Sequence, residues 1–182
     1  RKVRGLVAGQ DFGEIFNGVG LSEESAAAAR WETTQGGEYF SVGIGGSIVG
    51  RRGDILVLDD VVRSKEDVES EQLREKVWQW YVADVVTRLK PNAVKLFVNT
   101  RWHEDDLAGR ILDREANKWT VLHMEMENTR DDDPLGRAIG ERLWPEWFTQ
   151  EMVDEAKQDV GTWNALYQGR PSPDGGGEFK KD

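Results

Sequence analysis

The sequence predicts an α/β fold with a mainly parallel β-sheet flanked by helices, and three segments carry that prediction. Two apolar runs, residues 55–58 and 94–98, have the branched composition and the length of buried strands. The 70–88 segment between them has apolar residues spaced by three and four, which indicates a helix. Because a helix of this length joins two strands as a crossover, the strands are predicted to be parallel. The polar residues that follow both strands should therefore leave the sheet at the same edge.

Upstream of this unit, the sequence predicts a helix and a β-hairpin. Residues 1–7 look like a helix already under way. Strands at 30–34 and 38–42 flank residues 35–37, Gln-Gly-Gly, whose glycines supply the positive φ angles of a hairpin turn. A capping serine and an alanine run within 22–29 favour a helix just before the hairpin, and that boundary stays open.

Downstream of the second strand, the pattern predicts a helix, a third strand and two closing helices. Carboxylates at 104–106 precede an apolar helical pattern at 107–112, where they would complement the helix dipole. Residues 120–124 have the composition of a third parallel strand. Residues 148–157 and residues 163–168 are each predicted to form a short closing helix.

Composition limits the classes of function. The 182 residues are 38% hydrophobic and 32% charged, which suits one domain with a sizeable core. Cysteine is absent, so neither a disulfide framework nor a thiolate metal site can form. The net charge of -10 argues against a broad DNA-binding face, because phosphates are neutralised by lysine and arginine. No apolar run reaches membrane-spanning length, and we expect a soluble, cytoplasmic protein.

Two adjacent aspartates, Asp59 and Asp60, follow the first apolar run and form the most informative motif. In nucleotide hydrolysis, one carboxylate in this position can hold Mg²⁺ while its neighbour orients the attacking water. This is the Walker B arrangement. The same pair also fits a simpler role, because aspartates after a strand start turns and cap helices.

Several ordered motifs resemble the large terminase subunits of tailed bacteriophages. They are, in chain order, residues 36–40, 43–50, 54–60, 99–110, 143–146 and 165–171. The resemblance implies a P-loop NTPase-type (ASCE) domain of an ATP-driven motor that packages double-stranded viral DNA, with an associated endonuclease domain. It also implies a portal protein and a small terminase subunit as partners, a homo-oligomeric ring, and a location in the host cytoplasm with transient docking on the procapsid.

The resemblance assigns roles to five residues at the predicted sheet edge. Asp59 matches the Mg²⁺-associated Walker B acid, and Asp60 matches the catalytic carboxylate, which is often glutamate in the family. Asn99 and Thr100 match the coupling segment that senses the nucleotide, and Arg101 begins the loop beside it. ATP and Mg²⁺ are the implied cofactors.

Arg51 and Arg52 are candidates for an arginine that stabilises the transferring phosphoryl group, supplied from a neighbouring subunit. Many terminases place such an arginine directly before the glycine that matches Gly50. This chain has Val49 there and its two arginines after the glycine. The sequence does not decide between the two arginines.

The resemblance covers part of a terminase. No Gly-x-x-x-x-Gly-Lys-Ser/Thr phosphate loop occurs in the chain, and the glycine-rich 43–50 segment lacks the lysine. We expect residues 1–170 to be the later part of a terminase ATPase domain, and residues 171–182 to be a linker toward a nuclease domain. Because the phosphate loop supplies most of the triphosphate contacts, we expect the chain alone to be inactive.

Two other classes of function compete with this interpretation. A metal-dependent nuclease could use the carboxylates of the two acidic clusters, because clustered carboxylates can hold two Mg²⁺ ions. These are Asp59, Asp60, Glu104, Asp105 and Asp106. A non-enzymatic module is the second alternative, in which the strand-helix-strand core supports contacts with other subunits.

Overall fold

The computed structural model describes residues 2–62 and 64–172, except for the side chains of Ser25 and Ala26. Most of the predicted 171–182 linker lies outside the described residues. The chain divides into two compact units, Arg1–Val49 and Gly50–Asp182. Among the residues described, no helix has both the length and the apolar character needed to cross a membrane.

The first unit contains two short helices and a three-stranded antiparallel sheet in the order β1-β2-β3. Its elements are α1 (Lys2–Val7), α2 (Gln10–Ile15), β1 (Leu21–Ala26), β2 (Arg30–Thr33) and β3 (Glu38–Phe40). The predicted hairpin is confirmed, and Gly36 at its turn has a φ of +81°. The helix considered for 22–29 is wrong, because β1 pairs with β2 and so satisfies its backbone groups as a strand.

The second unit contains a strand-helix-strand unit followed by short helices. Its first elements are β4 (Gly53–Asp59), α3 (Lys65–Glu69), α4 (Glu71–Gln79), a π-helical stretch (Trp80–Val85), a 3₁₀ turn (Val86–Arg88) and β5 (Leu89–Val98). They are followed by α5 (Leu107–Glu115), a 3₁₀ turn (Ala116–Lys118), α6 (Gln150–Ala156), α7 (Val160–Thr162) and a π-helical stretch (Trp163–Tyr167). The predicted helix before β5 and both closing helices are confirmed.

The parallel pairing of the two apolar runs is also confirmed. β4 and β5 pair in register from Ile55 opposite Val94 to Asp59 opposite Val98. The chain is thus mixed α/β, but parallel pairing among the described residues is limited to these two strands. The sheet is smaller than the mainly parallel sheet that the sequence predicts.

One face of the β4–β5 sheet is exposed, so the prediction that both strands are buried is wrong for that face. Five branched residues on it are between 52% and 68% exposed, and we call them the apolar stripe: Ile55, Val57, Val94, Leu96 and Val98. Helix α5 lies on the opposite side, where Lys95 pairs with Glu115 (3.5 Å). Since successive side chains of a strand point to opposite faces, this helix covers only the alternate residues.

The predicted third strand at 120–124 is wrong. This segment has no strand pairing within the described part of the chain, and Val121, Leu122 and Met124 are exposed. Backbone pairing resumes at Met126, whose N–H donates to the Tyr167 carbonyl (2.9 Å). The apolar composition favours a strand, but a strand also needs a neighbour to pair with.

The closing helices enclose a small hydrophobic cluster. Met126, Val153 and Trp163 are buried in it, and Leu143, Phe148 and Ala156 pack against them. Thr149 caps α6 by accepting a hydrogen bond from the Met152 N–H (3.3 Å). This cluster fixes the position of the 143–148 turn.

Candidate functional site at the carboxyl ends of two parallel strands

The ends of β4 and β5 meet at one edge of the sheet, as the sequence predicts. Asp59 is the last residue of β4 and lies opposite Val98, the last residue of β5. The N–H of Asp60 then donates to the Val98 carbonyl (3.1 Å), so the backbone after β4 stays attached to β5. Asn99 follows directly on the other strand. The two polar clusters thus leave the sheet side by side.

Asp59 and Asp60 are both exposed, and neither carboxylate has a hydrogen bond or ion pair with another described residue. Asp60 has a φ of +41°, a left-handed conformation that aspartate adopts more readily than most residues. Both carboxylates are accessible to solvent. The pair therefore presents carboxylate oxygens, which are the ligands that Mg²⁺ prefers.

Asn99 and Thr100 are half-buried and line a cavity of about 380 Å³ beside β5. Its wall also includes Phe97, Ile111, Trp119 and Tyr167. The Oδ1 atom of Asn99 is buried without a hydrogen-bond partner among the described residues. The predicted coupling residues thus lie between the acidic edge and a largely apolar cavity.

Arg101 is held by its own loop. Its Nε donates to both carboxylate oxygens of Asp106 (3.0 and 2.9 Å), and its Nη2 donates to the carbonyls of His103 (3.3 Å) and Glu104 (3.2 Å). These bonds direct the guanidinium into the 101–106 loop. The Arg101 side chain thus supports the loop, and none of its hydrogen bonds goes to Asp59 or Asp60.

Asp106 organises this loop and the start of α5. It is 1% exposed and is the N-cap residue of α5, accepting from the Gly109 N–H (2.8 Å). The Trp102 N–H also donates to it (3.2 Å). Any side chain at Gly109 would clash with the Glu104 carbonyl and the Arg101 guanidinium, so the loop packs against a glycine. The predicted capping role of the 104–106 carboxylates is confirmed at Asp106.

Asp105 joins α4 to α5 through two arginines. Arg110 donates twice to its carboxylate (both 2.7 Å), and Arg74 donates once (2.9 Å). These guanidinium groups, Arg110 first, lower the pKa of Asp105 to about 2. Arg110 also bonds Glu75 (2.6 Å), and both carboxylates raise its pKa. The sequence does not indicate this network, because its partners lie 31 and 35 residues apart and no periodic pattern links them.

The nuclease alternative gains no support from this geometry. Two of its five carboxylates, Asp105 and Asp106, are bound by arginines and so are not free to hold a metal. Within residues 2–62 and 64–172, no three His, Asp or Glu side chains come together in a way that could hold a metal ion.

Arg51 and Arg52 lie at the other end of β4. Arg51 is half-buried and Arg52 exposed, and both precede Gly53, where the strand begins. The strand is seven residues long. At about 3.3 Å per residue, its ends are roughly 20 Å apart. Within one chain, the structure therefore does not bring these arginines to Asp59 and Asp60.

Comparison of the chain with models of known protein families gave no match, and comparison with curated proteins gave none either.

Proposed function

We propose that this chain is part of the ATP-hydrolysing motor of a viral DNA-packaging terminase, with a P-loop NTPase-type (ASCE) fold. One observation supports this best. Asp59 and Asp60, two exposed carboxylates without partners among the described residues, lie at the carboxyl end of β4, and Asn-Thr-Arg follows the end of its parallel neighbour β5. The Asp60 N–H donates to the Val98 carbonyl (3.1 Å) and so holds the two ends together. This is the place where open α/β sheets bind ligands.

In this proposal, Asp59 holds Mg²⁺ directly or through water, and Asp60 accepts a hydrogen bond from the attacking water and aligns it. The donor set fits Mg²⁺, since both carboxylates are exposed and bound to no other described side chain. Bound Mg²⁺ would neutralise the charge that develops on the phosphates. Asn99 and Thr100 lie on the adjoining strand end, where they would sense the nucleotide, and Arg101 would act through the loop that it stabilises.

The chain does not itself supply the usual phosphate contacts, because its 182 residues contain no Gly-x-x-x-x-Gly-Lys-Ser/Thr motif. A phosphate loop contributes backbone N–H groups, a lysine and a hydroxyl ligand of Mg²⁺. We therefore assign ATP hydrolysis to the complete polypeptide. We expect the purified chain alone to show no ATP turnover above background.

The proposed arginine acts between subunits. Because Arg51 and Arg52 lie roughly 20 Å along the strand from the acids, either could reach a phosphate only in another subunit's site. That placement is consistent with a homo-oligomeric ring. The other proposed partners are double-stranded viral DNA, a portal protein and a small terminase subunit, which would meet the protein in the host cytoplasm and on the procapsid.

The test uses the polypeptide encoded by the complete reading frame that contains this chain, assayed for Mg-ATP hydrolysis and for ATP binding. Asp60→Asn should lower turnover by about 100-fold or more, because positioned bases contribute on that scale, while ATP binding changes less than about twofold. Asp59→Asn should instead raise the Mg²⁺ concentration needed for half-maximal activity.

Asp54→Asn is the matched control, since Asp54 is an exposed aspartate near the opposite end of the same strand, where it pairs with Lys90 (2.7 Å). It should hydrolyse ATP at the wild-type rate. Wild-type turnover in Asp60→Asn, or an equal loss in Asp54→Asn, would contradict the proposed role of the strand end.

A further inference from the structure

Two tryptophans lie exposed on one turn of the second unit. Trp144 and Trp147 are 60% and 63% exposed, and their ring centroids are 5.5 Å apart with the planes inclined by 31°. Tryptophan is among the residues most enriched in the energetic centres of protein interfaces. We call residues 144–147 the tryptophan turn.

The tryptophan turn is fixed from both sides. Leu143 before it and Phe148 after it pack against the hydrophobic cluster of Met126, Val153 and Trp163. The N–H groups of Trp147 and Phe148 both donate to the Trp144 carbonyl (3.0 Å each). Because the flanking residues are anchored in the core, the rings face solvent in a fixed arrangement. Binding to a preformed surface of this kind has a small entropic cost.

The backbone at Trp144 is also unusual. Its φ is +47°, in the left-handed region that bulky residues rarely adopt. Such a conformation persists only where the surrounding contacts enforce it. The anchored Leu143, whose N–H donates to the Met126 carbonyl (2.7 Å), and the two bonds to the Trp144 carbonyl supply these contacts.

The segment that contains the tryptophan turn is acidic. Residues 141–155 contain five carboxylates and one arginine, a net charge of -4, and Glu146 lies between the two tryptophans. The single arginine, Arg142, donates to Gln150 (3.1 Å). Nearby Lys157 is bound to Glu127 (2.6 Å). The exposed carboxylates therefore outnumber the cations that could neutralise them. They are Glu141, Glu146, Glu151, Asp154 and Glu155.

We propose that the tryptophan turn and the acidic side chains around it form a docking surface for a basic peptide segment of a partner protein. Aromatic faces attract guanidinium and ammonium groups, and tryptophan does so best. The carboxylates complement the same charges and favour encounter with a basic partner. Nucleic acid fits less well, since its phosphates would meet the acidic side chains. The surface shares no residue with the strand ends, and the proposal does not depend on ATP hydrolysis.

The test uses a fluorescently labelled peptide of twelve residues in which six arginines alternate with six serines. The purified chain is added to this peptide at low salt, and binding is measured by fluorescence anisotropy. An equivalent peptide with glutamate in place of arginine is the charge control. We expect saturable binding of the arginine peptide alone. Trp147→Ala should weaken binding by about fivefold or more, the range of one cation–π contact. Trp144→Ala together with Trp147→Ala should abolish it.

Two further variants separate aromatic from charge effects. Glu146→Gln with Glu151→Gln should weaken binding about threefold at low salt, and the difference should disappear at high salt because added ions screen the charges. Leu122→Ala and Asp132→Asn remove an exposed apolar and an exposed acidic side chain elsewhere in the unit and should leave binding unchanged. Trp147→Phe, which keeps an aromatic face, should retain most of the affinity and shows that the turn still folds.

The proposal is overturned if the wild-type chain binds both peptides equally or neither, or if Trp147→Ala binds as the wild type does. It is also overturned if a single-stranded oligonucleotide displaces the arginine peptide and binds more tightly. If the tryptophans become less exposed as the protein concentration rises, and sedimentation shows self-association, the surface binds a second copy of this chain and the proposal of a basic peptide partner is wrong.

Discussion

Two pairs of adjacent aspartates lie at the same end of the β4–β5 unit, and their surroundings differ completely. Asp59 and Asp60 are exposed and have no side-chain partner among the described residues. Asp105 and Asp106 are bound by three arginines, Arg74, Arg101 and Arg110. The same Asp-Asp dipeptide thus occurs in two different environments within one chain. The bound pair stabilises the loop and the helix, while the exposed pair contributes little to the fold and remains available to a ligand.

The two pairs of aspartates should differ in how much a substitution lowers the free energy of unfolding. Replacing a buried, bonded carboxylate leaves an arginine without its partner, and this costs far more than losing an exposed charge. Replacing an exposed carboxylate should change stability little.

Asp106→Ala should destabilise the chain by about 3–5 kcal/mol, the range for breaking a buried ion pair. The substitution removes the α5 N-cap and leaves the Arg101 guanidinium, only 21% exposed, without a carboxylate. Urea denaturation followed by circular dichroism measures the change. Asp59→Ala is the control and should cost less than about 0.5 kcal/mol. Equal losses in both variants would remove the distinction between the pairs.

Asp105→Asn should cost about 1 kcal/mol at neutral pH, a small value because the Asp105 side chain is 39% exposed to solvent. The stability lost in Asp105→Asn should become smaller as the pH falls. The pKa of Asp105 is lowered from 3.8 to about 2 in the folded chain. Its stabilising contribution is therefore complete above the unfolded pKa and is lost as the pH falls through the folded value.

The stability difference between the wild type and Asp105→Asn should consequently shrink between about pH 4 and pH 2. Urea denaturation at several pH values measures it. A difference that stays constant over this range would show that the arginines do not favour the ionised form of Asp105.

Asp60→Gly should keep or slightly raise stability, by up to about 1 kcal/mol, because glycine adopts a positive φ without steric cost. The observed φ of Asp60 is +41°. Asp59→Gly, at the last residue of β4, should instead lower stability by about 0.5–1 kcal/mol. Chemical denaturation of both variants tests the pair. A clear loss in Asp60→Gly would mean that its carboxylate has a stabilising partner.

Local patterns explain which parts of the structure could be predicted. The branched runs at β4 and β5 and the helix between them predicted the parallel pairing and the shared edge. The carboxylates before α5 predicted its capping. These features depend on side-chain periodicity and on groups within a few residues, which the sequence displays directly.

Other features depend on what lies next to a segment in space. The apolar stripe has the same sequence signal as a fully buried strand, since the signal does not show whether anything covers the face. Residues 120–124 have strand composition but no neighbouring strand among the described residues. The bonds from Arg74 and Arg110 to Asp105 and Glu75 join α4 to α5, and nothing local to either helix indicates them. The roles of the exposed aspartates stay predictions.

The apolar stripe on β4 and β5 has a consequence for how the protein behaves in concentrated solution. Its five branched side chains are more than half exposed. Exposed apolar area of this kind favours association between molecules, and strand edges without a neighbour can pair between molecules. The net charge of -10 opposes that contact by mutual repulsion. Colloidal stability thus depends on a balance that salt shifts toward precipitation, since added ions screen the repulsion and leave the apolar attraction intact.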